Sequence, residues 1–130
     1  MSFLINRRAF GDILVIDMLG RLEFGDPTHA LHSEIDGALA GGCRRFVFNL
    51  ARVERVDSAG LGALNRCSKA IGKRGGQVCM FGLTQRVDDL MVITKLSTIF
   101  RIFPDEQKAL ASLGATANGA QTIGASARNS

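Results

Sequence analysis

The sequence predicts an α/β domain with a mixed, mostly parallel sheet of four to five strands and about four helices. Three observations carry that expectation. Short apolar runs rich in Ile, Val and Phe recur near residues 13–19, 45–50, 78–81 and 99–103. Between them lie segments whose apolar residues follow helical spacing, the alternation that builds βαβ units around a parallel sheet. Glycine or a capping residue stands at nearly every junction. At 130 residues the chain suits one domain with a single core.

Taken in order, Phe3 to Ile5 is a short edge strand, and Ile13 to Leu19 a clearer one. Ile13, Val15 and Met18 compete for the core side of the second strand. Gly20 marks a turn or bulge, and Arg21-Leu22-Glu23 extends the sheet, which is expected to hold one antiparallel element near the N-terminus. Asp26-Pro27 starts a helix, because Asp caps and Pro suits the first helical position. Leu31, Ile35, Ala38 and Leu39 form its buried stripe, and Gly41-Gly42 ends it.

Arg45 to Leu50 is the next strand. A helix from Ala59 to about Lys73 follows, burying Leu61, Leu64, Ile71 and either Cys67 or Ser68, with Gly75-Gly76 as its stop. Val78 to Phe81 is a short central strand closed by Gly82. Thr84 caps a helix whose Val87, Leu90, Met91 and Thr94 face inward. Ile99 to Phe103 is the last strand. Asp105 caps a final helix carrying Ala109, Leu110 and Leu113, which places the domain at residues 1–114. Residues 115–130 are Ala, Gly, Ser, Thr and Asn with a single Ile, a single Gln and a single Arg, too little apolar surface to offset ordering, so a flexible tail is expected.

Composition narrows the function classes. Apolar residues make up 46% of the chain and charged residues 22%, as in folded soluble proteins. No apolar run approaches the roughly 18 residues of a membrane-spanning helix, and residues 1–8 lack a secretory pattern. A cytoplasmic location is the expectation. Cys43, Cys67 and Cys79 show no ligand spacing, and read as small core hydrophobes. His29 and His32 have no third ligand nearby, so no metal and no cofactor are expected. The net charge of +4 raises the question of nucleic acid. Arg66, Lys69, Lys73 and Arg74 recur at helical spacing, yet there is no Trp or Tyr to stack on bases. A solvated helix face accounts for them, and no direct nucleic-acid contact is expected.

The most specific stretch is Asp57-Ser58-Ala59-Gly60-Leu61-Gly62, set between an apolar strand and an amphipathic helix. That order puts the Ser58 hydroxyl at a helix N-terminus, where free N–H groups and the dipole favour negative charge. The local reading of Asp57 and Ser58 is an N-cap, and of Gly60 and Gly62 close helix packing. Gly60-Leu61-Gly62 is no phosphate-binding fingerprint, since the third glycine and the Lys-Ser/Thr of a P-loop are missing. No His lies near Ser58 in sequence and no Gly-x-Ser-x-Gly elbow is present, so a hydrolase is not expected.

The motif in this setting resembles the STAS family of anti-sigma-factor antagonists, whose hallmark is Asp-Ser-Ser-Gly-Leu-Gly with a phosphorylated first serine. Gly20-Arg21-Leu22-Glu23, Phe46-Val47-Phe48-Asn49-Leu50, Lys73-Arg74-Gly75-Gly76-Gln77 and Phe100-Arg101-Ile102-Phe103 occupy matching places in order. Two departures stand out. The second loop serine is Ala59 here, and Glu23 replaces the usual Asp, followed by Phe24-Gly25-Asp26-Pro27-Thr28 in place of a polar stretch. The resemblance implies a STAS fold and a non-enzymatic antagonist, and since nothing in the sequence demands a dimer a monomer is expected. Unmodified, it would bind an anti-sigma factor that is also a serine kinase. Phosphorylation at Ser58 would release it and a serine phosphatase would reset it. The implied contact residues are Glu23, Asp26, Thr28, Asp57, Ser58, Ala59, Gly60 and Leu61. The alternative is a constitutive STAS interaction subunit of a transporter or signalling scaffold.

Overall fold

The computed structural model describes residues 3–115, so all of the tail expected at 115–130 except Ala115 lies outside them. Five strands form one sheet in the order β1-β2-β3-β4-β5. Strand β1 (Phe3–Phe10) pairs antiparallel with β2 (Ile13–Leu22). Strands β3 (Arg45–Val56), β4 (Gln77–Phe81) and β5 (Ile102–Phe103) then add in parallel. Helices α1 (Asp26–Ala40), α2 (Ser58–Lys73), α3 (Gln85–Ile93) and α4 (Glu106–Ser112) complete the α/β domain.

Period-two alternation sends the two faces of each strand into different cores. Ile16, Met18, Phe46, Phe48 and Met80 pack with Leu31 and Ile35 of α1, Leu64 and Ile71 of α2, and Met91 of α3. On the other face Ile13, Val15, Val47, Cys79 and Phe81 meet Ala109, Leu110 and Leu113 around α4. Cys67 rather than Ser68 is the buried member of the α2 stripe, and Cys43 is half-buried. Burial pushes the Cys67 thiol up to about 12 and raises that of Cys79, so both stay protonated apolar fillers.

Several boundaries differ from the sequence expectation. Strand β1 runs on to Phe10, because Arg8 finds Asp17 across the strand pair and Arg7 finds Glu34 of α1. Strand β3 continues past Leu50 to Val56. Its register against β2 shifts between Asp17 and Leu19, which hides Val53 and Val56 from a period-two reading. Helix α1 is capped by Gly25 at φ 104°, with Asp26 as its first helical residue rather than its cap. Strand β5 is cut to two residues by a 3-10 turn at Leu96–Thr98 that leaves Ile99 exposed. Thr94 also faces solvent, its Oγ1 donating to the Leu90 carbonyl at 2.7 Å, and Leu90 is only half-buried.

Candidate functional site

The carboxyl ends of β2 and β3 deliver two connections to the same edge of the molecule. Asp57 follows Val56 in extended backbone, at φ −98° and ψ −175°, and is the N-cap of α2. Its Oδ1 accepts from the Gly60 N–H at 2.8 Å, satisfying one of the free donors of the first turn. Its Oδ2 accepts from the Phe24 N–H at 3.0 Å, in the connection between β2 and α1. One carboxylate thereby ties both loops together. Desolvation works against its charge, but the N–H groups of Phe24, Gly60, Asp57 itself and Ala59 outweigh it. Asp57 stays ionised below the usual carboxylate range.

Gly60 fixes how closely α2 approaches the sheet. A methyl group built on it would stand 2.1 Å from the Leu22 carbonyl oxygen and 2.9 Å from Val56 Cγ1. Only glycine fits there. Leu61, buried beside it, anchors the first turn in the core while its N–H donates to the Asp57 carbonyl at 2.9 Å. Ser58 is the first residue of this 16-residue helix, and it is exposed. The capping role falls to Asp57, so the Ser58 hydroxyl is left free at the positive end of the helix dipole.

The other residues expected at the site divide by exposure. Ala59 is half-exposed and Asp26 is exposed on the first turn of α1. Glu23 is partly exposed and ion-paired with Arg55 across β2 and β3 at 3.5 Å, so its charge is balanced locally. Thr28 departs from the expectation of a partner-facing side chain. It is 7% exposed and its Oγ1 donates to the Gly25 carbonyl at 2.9 Å, which makes it part of the helix start. Gly60 and Leu61 are likewise buried and shape the loop from beneath.

Sequence reasoning misses Phe24. Its side chain is 82% exposed although its backbone is held by Asp57. An aromatic residue next to glycine in a connection was the available signal. An open cavity of ≈ 490 Å³ adjoins the end of β3, lined by Arg55, Val56, Arg86, Asp89, Leu90 and Ile93. Ile93 is 75% exposed at its rim. An exposed serine and an exposed aromatic beside a loop, with a hollow of mixed charged and apolar lining at the end of β3, suit contact with another macromolecule.

The family model of the STAS domain matches residues 5–109. The chain belongs to the STAS domain family. An anti-sigma F factor antagonist of Paenibacillus polymyxa is 25% identical over 114 residues, covering 87% of this chain and 97% of that protein. Among solved structures, an anti-sigma factor antagonist from Mycobacterium paratuberculosis superposes with a TM-score of 0.73 at 23% identity, over 85% of this chain and 93% of that one. The Bacillus cell-fate determinant SpoIIAA in its phosphorylated form gives a TM-score of 0.65 at 16% identity, over 86% of this chain and 99% of that one. These structures share the fold described above. Within the described residues no helix is long and apolar enough to cross a membrane.

Proposed function

We propose that this STAS domain is an anti-sigma-factor antagonist switched at Ser58. Unmodified, it docks the edge built from Phe24, Asp57 and Ser58 onto an anti-sigma factor that is also an ATP-dependent serine kinase. The observation that carries this reading is an exposed Ser58 at the first position of α2, relieved of capping by Asp57. The likeness to the Paenibacillus antagonist supports it. The kinase transfers the γ-phosphoryl group of ATP to Ser58 Oγ and takes up the hydroxyl proton on its own base. The acceptor therefore needs no catalytic residue of its own. A serine phosphatase returns the hydroxyl.

Modification adds about −1.5 to −2 charges and three acceptor oxygens at pH 7. The helix N-terminus tolerates that charge, whereas a partner packed on the loop meets a desolvated dianion beside the ionised Asp57. Such a mismatch costs about 2–5 kcal/mol, a loss of tens- to thousands-fold in affinity. The test is incubation with ATP and each recombinant anti-sigma kinase of the host, followed by intact-mass measurement. The wild-type chain gains one phosphate and Ser58→Ala gains none. Equal modification of both, or of neither, overturns the assignment. A stable complex unchanged by Ser58→Glu would favour the constitutive subunit instead.

A further inference from the structure

The face of α2 that carries Ser58 continues into an arrangement that the switch itself does not use. Ser58, Gly62 and Arg66 follow at four-residue steps, so they lie along one face of the helix. Helical side chains lean toward the N-terminus, which sends Arg66 back over residue 62. A methyl group built on Gly62 would lie 3.4 Å from Arg66 Nη1 and 4.0 Å from its Cζ and Nη2. The guanidinium thus occupies the place that a side chain at 62 would fill. Arg66 is exposed, and among the described residues it takes part in no ion pair.

We propose that Arg66, resting over Gly62, is the built-in counter-ion of a phosphate on Ser58. The proposal rests on Ser58 being a phosphoacceptor. Ser58 and Arg66 are eight residues apart, a helical rise of about 12 Å, but the guanidinium lies over Gly62, so the span left to Ser58 is about the 6 Å of four residues. The anion stands N-terminal to the cation, which is the favourable order. A phosphate reaching out from Ser58 closes most of that distance, and a small extension of the arginine arm completes charge-assisted hydrogen bonds. Lys69 starts a further turn away. Modification then changes the docking surface twice: it adds an anion and withdraws an exposed cation. Gly62 keeps the path of the arm open.

Phosphoserine incorporated genetically at position 58 allows a test without any kinase. The second ionisation of the phosphate, ordinarily near pH 6, is followed by phosphorus NMR in the folded chain at low salt. A paired guanidinium favours the dianion, so the wild type titrates lower than Arg66→Ala by about 0.3 unit or more. Arg66→Lys falls between them, and Gly62→Leu, which fills the resting place of the arm, moves toward Arg66→Ala. Asp57 and the Glu23–Arg55 pair also face this loop, but they are common to every variant and drop out of the comparison. Superimposable titrations of wild type and Arg66→Ala would overturn the proposal. A host kinase that ignores Ser58 would overturn the antagonist reading while leaving the titration difference in place.

Discussion

Two aspartates of this molecule are both held ionised below the ordinary range, and they do opposite work. Asp17 lies on the sheet face toward α4. Its oxygens accept from Arg8 Nε at 2.7 Å and Nη2 at 2.9 Å, and from Asn49 Nδ2 at 2.8 Å. Arg8 continues to Glu106, so the cluster clamps β1, β2, β3 and α4. The Arg8 hydrogen bonds outweigh burial in keeping Asp17 charged. Asp57 instead spends its oxygens on backbone N–H groups and leaves an exposed serine and an exposed phenylalanine beside it. A depressed carboxylate therefore does not by itself mark a functional site. What distinguishes the second cluster is the unused chemistry at its rim.

The sharpest way to break the comparison is Gly60→Ala. Its methyl group collides with the Leu22 carbonyl, a backbone group at the end of a paired strand, so α2 must move away from the sheet. A loss of about 3 kcal/mol or more is expected, read as a lowered urea midpoint. A substitution tolerated within 1 kcal/mol, a threshold on the order of a minor surface change, would mean that α2 is not pinned against β2 as described.

Next come the two aspartates themselves, whose effects on stability and function run in opposite orders. Asp17→Ala strips charged hydrogen bonds from Arg8 and one from Asn49, at a cost of about 2 kcal/mol. Its rate of Ser58 modification stays at the wild-type level. Asp57→Ala removes an N-cap and costs about 1 kcal/mol. Its two loops lose their common tie, so modification by the kinase slows several-fold despite the smaller structural cost. Paired urea melts and phosphorylation time courses measure both orders. If Asp17→Ala slowed modification as much as Asp57→Ala, the division between a clamp and a site would collapse.

The Asp57 side of this division was legible in the sequence and the Asp17 clamp was not, for physical reasons. Asp57 to Gly62 could be placed at a helix start because Gly, Ser and Asp have local backbone roles that survive in any context. Thr84 and Asp105 were readable as caps on the same grounds, and their side chains accept from Val87 and Lys108 N–H groups. The long extension of β1 was hidden because Asn6, Arg7 and Arg8 read as polar until their partners on β2, α1 and α4 are known. Phe24 escaped for the converse reason. An aromatic residue is expected inside, and only the backbone tie to Asp57 shows why this one stays out.

The smallest effect separates charge from shape at Asp57. In Asp57→Asn the side-chain oxygen still caps Gly60, so stability at pH 7 falls by only a few tenths of a kcal/mol, with the Phe24 N–H turning to water. The pH dependence changes more than the magnitude. A carboxylate held low by its folded surroundings contributes stability that is complete above its unfolded value, about 3.9, and disappears as pH falls through the folded value. Asp57 is such a group, so the wild type loses that contribution below about pH 4. Asn cannot titrate. The gap between the urea midpoints of wild type and Asp57→Asn therefore narrows as pH falls below about 4 toward the lower folded value. The same substitution at Asp17 closes a wider gap, because its side-chain partners include a cation. Midpoints that run parallel across that window would show that Asp57 holds its loops by geometry alone.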